Sequence, residues 1–359
     1  MDVEKIKVLV VDDSAFMRKM ISNILESHPK IVVVGTARNG FDALKKIDQL
    51  NPDVVTLDIE MPEMDGLVAL NKIMENKPRP VVMLSSLTKH GADKTFESME
   101  LGAVDFITKP SGSISLNIKE IETEIISKVL QATKAKVELF TDSTSRSTYI
   151  KTSDRRIAPN LSKKNQVIIG IGTSTGGPRA LQQVITRLPE NIPAPIVIVQ
   201  HMPPGFTNSL AKRLDQLSHI KVREAQDGEQ LENGVAYIAP GGFQFRVIET
   251  GLGLKAKITK EENRSGHQPS VDVLFESLAK LVNYNLIGTI MTGMGADGAV
   301  GIVEMKKAKE STVIIAEAEE SCVVYGMPKS AVKTGVVDFV VELPDIADTI
   351  INLLKIRGE

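Results

Sequence analysis

The first 125 residues alternate between short aliphatic runs and longer amphipathic stretches. The run Lys7-Val8-Leu9-Val10-Val11 shows no polar alternation, which is the pattern of a strand buried on both faces of a parallel sheet. Asp12-Asp13-Ser14 then opens a stretch in which Phe16, Met20 and Ile24 recur at helical spacing. The same alternation predicts strands at 31–35, 54–57, 81–84 and 105–107, with helices at 41–50, 67–75, 94–101 and from about 118. Five strands each followed by a helix make a doubly wound parallel α/β sheet of the flavodoxin-like kind.

Apolar periodicity lapses over 134–164, where Thr141-Asp142-Ser143-Thr144-Ser145-Arg146-Ser147-Thr148 is small and polar, as in a linker. From 167 the alternation resumes, with strands at 167–171, 195–200, 286–291, 312–316 and 339–342. Helices are expected at 178–188, 205–217, 270–282, 298–308, 327–334 and from 344. Runs at 235–238, 243–248 and 252–258 read as a meander, a β-rich insertion in a second doubly wound α/β domain. The expected division is a first domain at 5–125, a helix end and flexible linker at 126–164, and a second domain at 165–356.

At 359 residues and 42% hydrophobic composition, the chain has the apolar content for two ordinary cores. Charge narrows the function classes: the net charge is −2, and from Lys164 onward 20 basic residues face 22 acidic ones, so nucleic acid is not an expected partner. The linker carries eight basic and three acidic residues, which suits a solvated tether. Cys322 is the single cysteine and can form no internal disulfide. The charged start Met1-Asp2-Val3-Glu4-Lys5 lacks a signal-peptide core, and no apolar run reaches the length of a membrane span. A soluble protein of the cytoplasm is expected.

In parallel α/β sheets, ligands bind beyond the carboxyl ends of the strands, where the strand order reverses. Asp12 and Asp13 end the first expected strand, Asp58 the third, Ser85 the fourth and Lys109 the fifth, so all should meet on one rim. Clustered carboxylates suit Mg²⁺, a hard cation that prefers oxygen ligands. Asp58 can then act as nucleophile toward a phosphoryl donor, with the Ser85 hydroxyl and the Lys109 ammonium stabilising phosphoryl charge. Taken singly, Asp13 or Ser14 can be a helix cap and Asp58 an ordinary loop acid; their joint placement favours chemistry.

Over roughly residues 5–125 the chain resembles the receiver domain of two-component response regulators. The resemblance rests on Val10-Val11-Asp12-Asp13-Ser14, Leu57-Asp58-Ile59-Glu60-Met61-Pro62-Glu63-Met64-Asp65-Gly66, Leu84-Ser85-Ser86 and Thr108-Lys109-Pro110. It implies that Asp58 is phosphorylated by a histidine kinase. It also implies that Asp12, Asp13, Asp58 and the Ile59 main chain hold Mg²⁺, and that Ser85 and Phe106 form the switch sensing the phosphoryl group.

The second domain carries different chemistry. Gly172-Thr173-Ser174-Thr175-Gly176 lies between a strand and a helix, the setting in which a G-x-S-x-G turn presents a serine hydroxyl. Such glycine-serine loops also bind phosphate or simply turn the chain. His201 ends the next strand and is placed to act as base, with His267, just before a helix, as the competing histidine. Asp297, in the turn Thr292-Gly293-Met294-Gly295-Ala296-Asp297-Gly298, can orient the imidazole or merely cap a helix. The Met294 N–H is a candidate oxyanion donor.

From about residue 165 to 354 the chain resembles the catalytic domain of CheB-type chemotaxis protein-glutamate methylesterases. The matching segments are the Ser174 turn, Gln200-His201-Met202-Pro203-Pro204-Gly205-Phe206-Thr207, Ala239-Pro240-Gly241-Gly242, His267-Gln268-Pro269-Ser270-Val271-Asp272 and the Asp297 turn. The resemblance implies hydrolysis of glutamate γ-methyl esters on chemoreceptors with release of methanol, and deamidation of certain receptor glutamines. That chemistry uses Ser174, His201 and Asp297 without a cofactor, leaving Mg²⁺ to the receiver. Two rivals fit less well. An oxidoreductase would need a different glycine spacing and an acidic ribose ligand after the next strand. A transcription regulator would need a recognition helix and a basic face.

Overall fold

A computed structural model describes residues 5–86, 88–109, 118–135 and 165–355. The chain divides into two units, Met1–Thr144 and Ser145–Glu359. Among the described residues no helix is long and apolar enough to cross a membrane.

The first unit is built from β1 (Ile6–Val11), α1 (Ala15–Glu26), β2 (Ile31–Ala37), α2 (Gly40–Leu50), β3 (Val54–Asp58), α3 (Gly66–Asn76), β4 (Val81–Ser85), α4 (Lys89–Glu100), β5 (Asp105–Thr108) and α5 (Ile118–Ala132). Its five parallel strands lie in the order β2-β1-β3-β4-β5. That order reverses between β1 and β3 and so opens a crevice at their carboxyl ends. Val8 through Val11 are fully buried, as the unbroken aliphatic run requires. Ser14 accepts the Met17 N–H and is the N-cap of α1, which leaves the neighbouring carboxylates for other work. α5 continues to Ala132, past the expected domain end, and residues 136–164 of the expected linker lie outside the described residues.

The second unit contains β6 (Gln166–Thr173), α6 (Gly177–Ile185), β7 (Ile196–Gln200), α7 (Phe206–Leu217), β8 (Lys221–Glu224), β9 (Val235–Ile238), β10 (Gln244–Thr250) and β11 (Gly253–Thr259). There follow α8 (Val271–Leu278), β12 (Tyr284–Ile290), α9 (Ala299–Ala308), β13 (Val313–Glu317), α10 (Met327–Lys333), β14 (Phe339–Val341) and α11 (Leu343–Lys355). Seven strands form one parallel sheet, β14-β13-β12-β6-β7-β9-β8. The expected three-run meander is reduced to one hairpin, because β9 joins the main sheet beside β7 and only β10 and β11 pair with each other. β8 escaped the pattern because Lys221-Val222-Arg223-Glu224 buries one side chain, Val222, as a sheet-edge strand does.

The hairpin packs on α8: Phe245, Val247, Leu254 and Ala256 share a core with Val271, Leu274, Phe275 and Leu278. α8 in turn lies close over β6, which is why residue 172 is glycine. A Cβ at Gly172 would stand 2.3 Å from a Val271 methyl. This close approach brings the amino terminus of α8 to the carboxyl ends of β6, β7 and β12.

Candidate active site

β6 is the central strand of the second sheet, with β7 on one side and β12 on the other, and the connections leave it in opposite directions. Ser174 follows β6 directly, His201 follows β7 directly, and Asp297 lies between β12 and α9. Backbone bonds lock these ends together: His201 N–H donates to the Thr173 carbonyl (3.1 Å) and Ser174 N–H to the Thr292 carbonyl (3.0 Å). The Gln200 amide nitrogen donates to both the Ser174 and His201 carbonyls, at 2.9 and 3.0 Å.

His201 Nε2 lies 2.8 Å from Asp297 Oδ2, in a pair that is almost wholly buried. The same carboxylate accepts the Val271 and Asp272 N–H groups (2.7 and 3.0 Å) and the Ser270 hydroxyl (2.9 Å). Burial would raise its pKa, but the His201 bond and charge and these backbone donors outweigh it and hold Asp297 at about 2. A permanent carboxylate on Nε2 keeps the imidazole proton there. It leaves Nδ1, which is buried without a hydrogen-bond partner, as the ring nitrogen that can take a proton. In the familiar serine-protease arrangement the two nitrogens have the opposite roles.

His267 is also at the site, in a different capacity. Its ring stacks on His201 with centroids 3.9 Å apart and planes 7° from parallel. Burial first, and then the neighbouring His201, lower its pKa to about 4 despite the attraction of Asp297, so it is neutral near pH 7. His201, and not His267, bonds the carboxylate.

Ser174 is half-buried at its turn. The facing loop can approach because residue 293 is glycine: a Cβ there would come within 2.8 Å of Ser174 Cβ. Met294 follows in the same loop, half-buried, as the expected oxyanion donor. This loop is held by Thr292 and Asp272, residues whose role the sequence motifs do not reveal. Thr292 accepts the Thr173 hydroxyl with its carbonyl (3.0 Å) and donates its own hydroxyl to the Thr175 carbonyl (3.0 Å). Asp272 accepts the Gly301 N–H (2.7 Å) and thereby caps α9 from α8; burial, with Asp297 nearby, raises its pKa to about 6. The available signal was position, since Thr292 stands just past the carboxyl end of β12 and Asp272 in the first turn of α8.

In the first unit the carboxylates of Asp12, Asp13 and Asp58 converge, with one oxygen of each within 4.8 Å of the others. Lys109 Nζ bridges Asp12 (3.0 Å) and Asp58 (2.7 Å). Burial and the Asp12 charge outweigh Lys109 and push Asp58 up to about 6. Three converging acid groups of this kind fit a hard divalent cation. The Ile59 carbonyl, the expected main-chain ligand, accepts the Gly66 N–H at 2.9 Å. Ser85 ends β4 with its hydroxyl turned to α4, bonded to the Thr95 hydroxyl (2.7 Å) and the Gly91 carbonyl (3.2 Å). Phe106 is buried, with the Lys128 ammonium 4.9 Å from its ring centre.

Residues 169–350 match the family model described as CheB methylesterase, and residues 8–119 match the response regulator receiver domain. A protein of Geobacillus kaustophilus named protein-glutamate methylesterase/protein-glutamine glutaminase is 54% identical over 98% of this chain and 99% of its own length. A protein of the same name from Bacillus subtilis is 50% identical over 98% and 99%. Among solved structures, the CheB methylesterase catalytic domain of Thermotoga maritima is 43% identical and covers 52% of this chain and 98% of its own, with a TM-score of 0.51.

Proposed function

The chain belongs to the CheB methylesterase family and carries a response regulator receiver domain, and on that premise we propose that it is a protein-glutamate methylesterase and protein-glutamine glutaminase controlled by phosphorylation. Its substrates are glutamate γ-methyl esters, and certain glutamines, on the cytoplasmic part of methyl-accepting chemoreceptors. The phosphoryl donor is a chemotaxis histidine kinase.

Ser174 Oγ attacks the side-chain carbonyl carbon while its proton passes to His201 Nδ1. The Met294 N–H donates a hydrogen bond to the developing oxyanion. Asp297, charged and fixed on Nε2, stabilises the imidazolium formed in this step. Protonated His201 then delivers the proton to the methoxy oxygen, or to the amide nitrogen of a glutamine, as its bond to carbon breaks and methanol or ammonia departs. Water, deprotonated by the same Nδ1, attacks the glutamyl ester on Ser174 and releases glutamate and free serine. The observation that carries this reading is the buried His201–Asp297 pair, which leaves Nδ1 without a hydrogen-bond partner in a residue whose backbone N–H is bonded to Thr173, next to Ser174.

In the receiver, Asp58 takes the phosphoryl group, and Asp12, Asp13 and Asp58 would hold Mg²⁺. When bound, the cation neutralises phosphoryl charge. Lys109, its proton affinity raised by the two carboxylates in spite of burial, supplies a second positive charge at the same rim. The deciding experiment measures methanol released from methyl-labelled receptor membranes by the parent and by Ser174→Ala. Loss of release in the variant supports the reading, and release at the parental rate refutes it.

A further inference from the structure

Glu317, the last residue of β13, is fully buried and has no place in the mechanism above. Its Oε2 accepts the Thr292 N–H at 2.7 Å, while Oε1 accepts the Ser321 hydroxyl at 3.1 Å and the Cys322 side chain also bonds the carboxyl group. A buried carboxyl group is costly unless its oxygens are engaged, so its place at this strand end calls for a reason.

The reason lies in the sheet. The β12–β13 ladder stops at the Ile290–Ala316 pair, two residues before Thr292, and the Ala318 N–H turns away to the Val341 carbonyl. Beyond that point β13 offers no backbone acceptor to Thr292, and the Glu317 side chain takes its place. Thr292 in turn is the centre from which the catalytic turns hang. Its carbonyl accepts the Ser174 N–H and the Thr173 hydroxyl, and its hydroxyl bonds the Thr175 carbonyl and accepts the Val324 N–H at 3.0 Å. The next residue, Gly293, accepts the Gly326 and Met327 N–H groups at 3.1 and 2.7 Å, so little slack separates Thr292 from Met294.

We propose that Glu317 is a positioning residue for the hydrolase: through Thr292 it sets the placement of Ser174 and of the Met294 N–H relative to each other. The inference rests on the reading of Ser174 as nucleophile. Burial raises the Glu317 pKa to about 7, but the carboxylate and the carboxylic acid both offer Thr292 an acceptor oxygen. A glutamine amide offers the same oxygen; a methionine of similar length offers none of comparable strength.

The test uses the full chain, with kcat and KM for methanol release measured on methyl-labelled receptor membranes for the parent, Glu317→Gln, Glu317→Met and Ser174→Ala. Misplacement of catalytic groups by an ångström costs up to about 100-fold, so Glu317→Met should lower kcat roughly 10- to 100-fold while KM stays within about twofold. Glu317→Gln should stay within about threefold of the parent in kcat. Parental kcat in Glu317→Met, a loss expressed wholly in KM, or a Gln variant as slow as the Met variant overturns the inference. If Glu317→Met does not fold, Glu317→Asp replaces it. One methylene shorter, it cannot reach Thr292 from the same backbone and should show the same kcat loss, and parental kcat there also overturns the inference. Ser174→Ala separates the two readings. Methanol release at the parental rate in that variant defeats the nucleophile assignment, whereas Ser174-dependent release with an unimpaired Glu317→Met defeats only the positioning role.

Discussion

Replacing Asp297 by asparagine tests the triad with almost no change of volume. The carboxylate receives four hydrogen bonds, two on each oxygen: Ser270 and Asp272 on Oδ1, His201 and Val271 on Oδ2. An amide has one acceptor oxygen and one NH₂. With the amide oxygen at Oδ1, the NH₂ meets the Val271 N–H and demands that His201 Nε2 accept. The imidazole proton then moves to Nδ1, which loses the lone pair that would take the Ser174 proton. With the amide oxygen at Oδ2, the tautomer survives but the NH₂ faces the Asp272 N–H.

Either way one buried backbone N–H is left unmet, at a cost of about 1–3 kcal/mol. For a domain of this size that corresponds to a fall in Tm of roughly 2–12 °C. The catalytic loss is larger. The analogous asparagine in a serine protease costs about 10⁴ in kcat through the wrong tautomer, so Asp297→Asn is expected to lose roughly 10²–10⁴ in kcat and keep measurable turnover. Methanol release and calorimetry on the same preparation give both numbers. A kcat within threefold of the parent, with the predicted fall in Tm, would show that the carboxylate serves packing and not the imidazole.

Further outcomes follow from the same geometry. His201→Ala should be as inactive as Ser174→Ala in methanol release; an inactive His267→Ala beside an active His201→Ala would reverse the assignment of the base. His267 titrates near 4 in the folded chain against about 6.5 unfolded, so between those values only the unfolded chain binds the proton and stability falls as pH drops. Urea midpoints at pH 7 and 4.5 should therefore show His267→Gln sparing the catalytic domain roughly 2 kcal/mol of acid destabilisation, and an unchanged pH dependence would contradict the assigned cause. Asp58→Asn should abolish Mg²⁺-dependent labelling by a phosphoryl donor, and label stably attached at another residue would remove Asp58 as acceptor. Phosphorylation should speed methanol release by the intact chain and leave residues 145–359 alone unaffected; equal stimulation of both would break the regulatory reading.

The aliphatic runs made most of the fold legible, because a strand covered on both faces must be apolar along its whole length, and four of these runs lead directly into a proposed site residue. Asp12, Asp58, Ser174 and His201 could be found in this way from local pattern alone. Strand order could not, since it is set by pairing between segments far apart in the chain. Only the sheet shows that β6 lies between β7 and β12, and that β9 belongs beside β7 and not in a meander. Partner choice is also a spatial property. Two histidines and one aspartate were visible in sequence, but the approach of α8 to β6 decides that His201 takes Asp297 through Nε2 while His267 stacks on the ring. The Glu317 side chain makes the same point. It reaches the Thr292 N–H where the ladder of backbone bonds between β12 and β13 runs out.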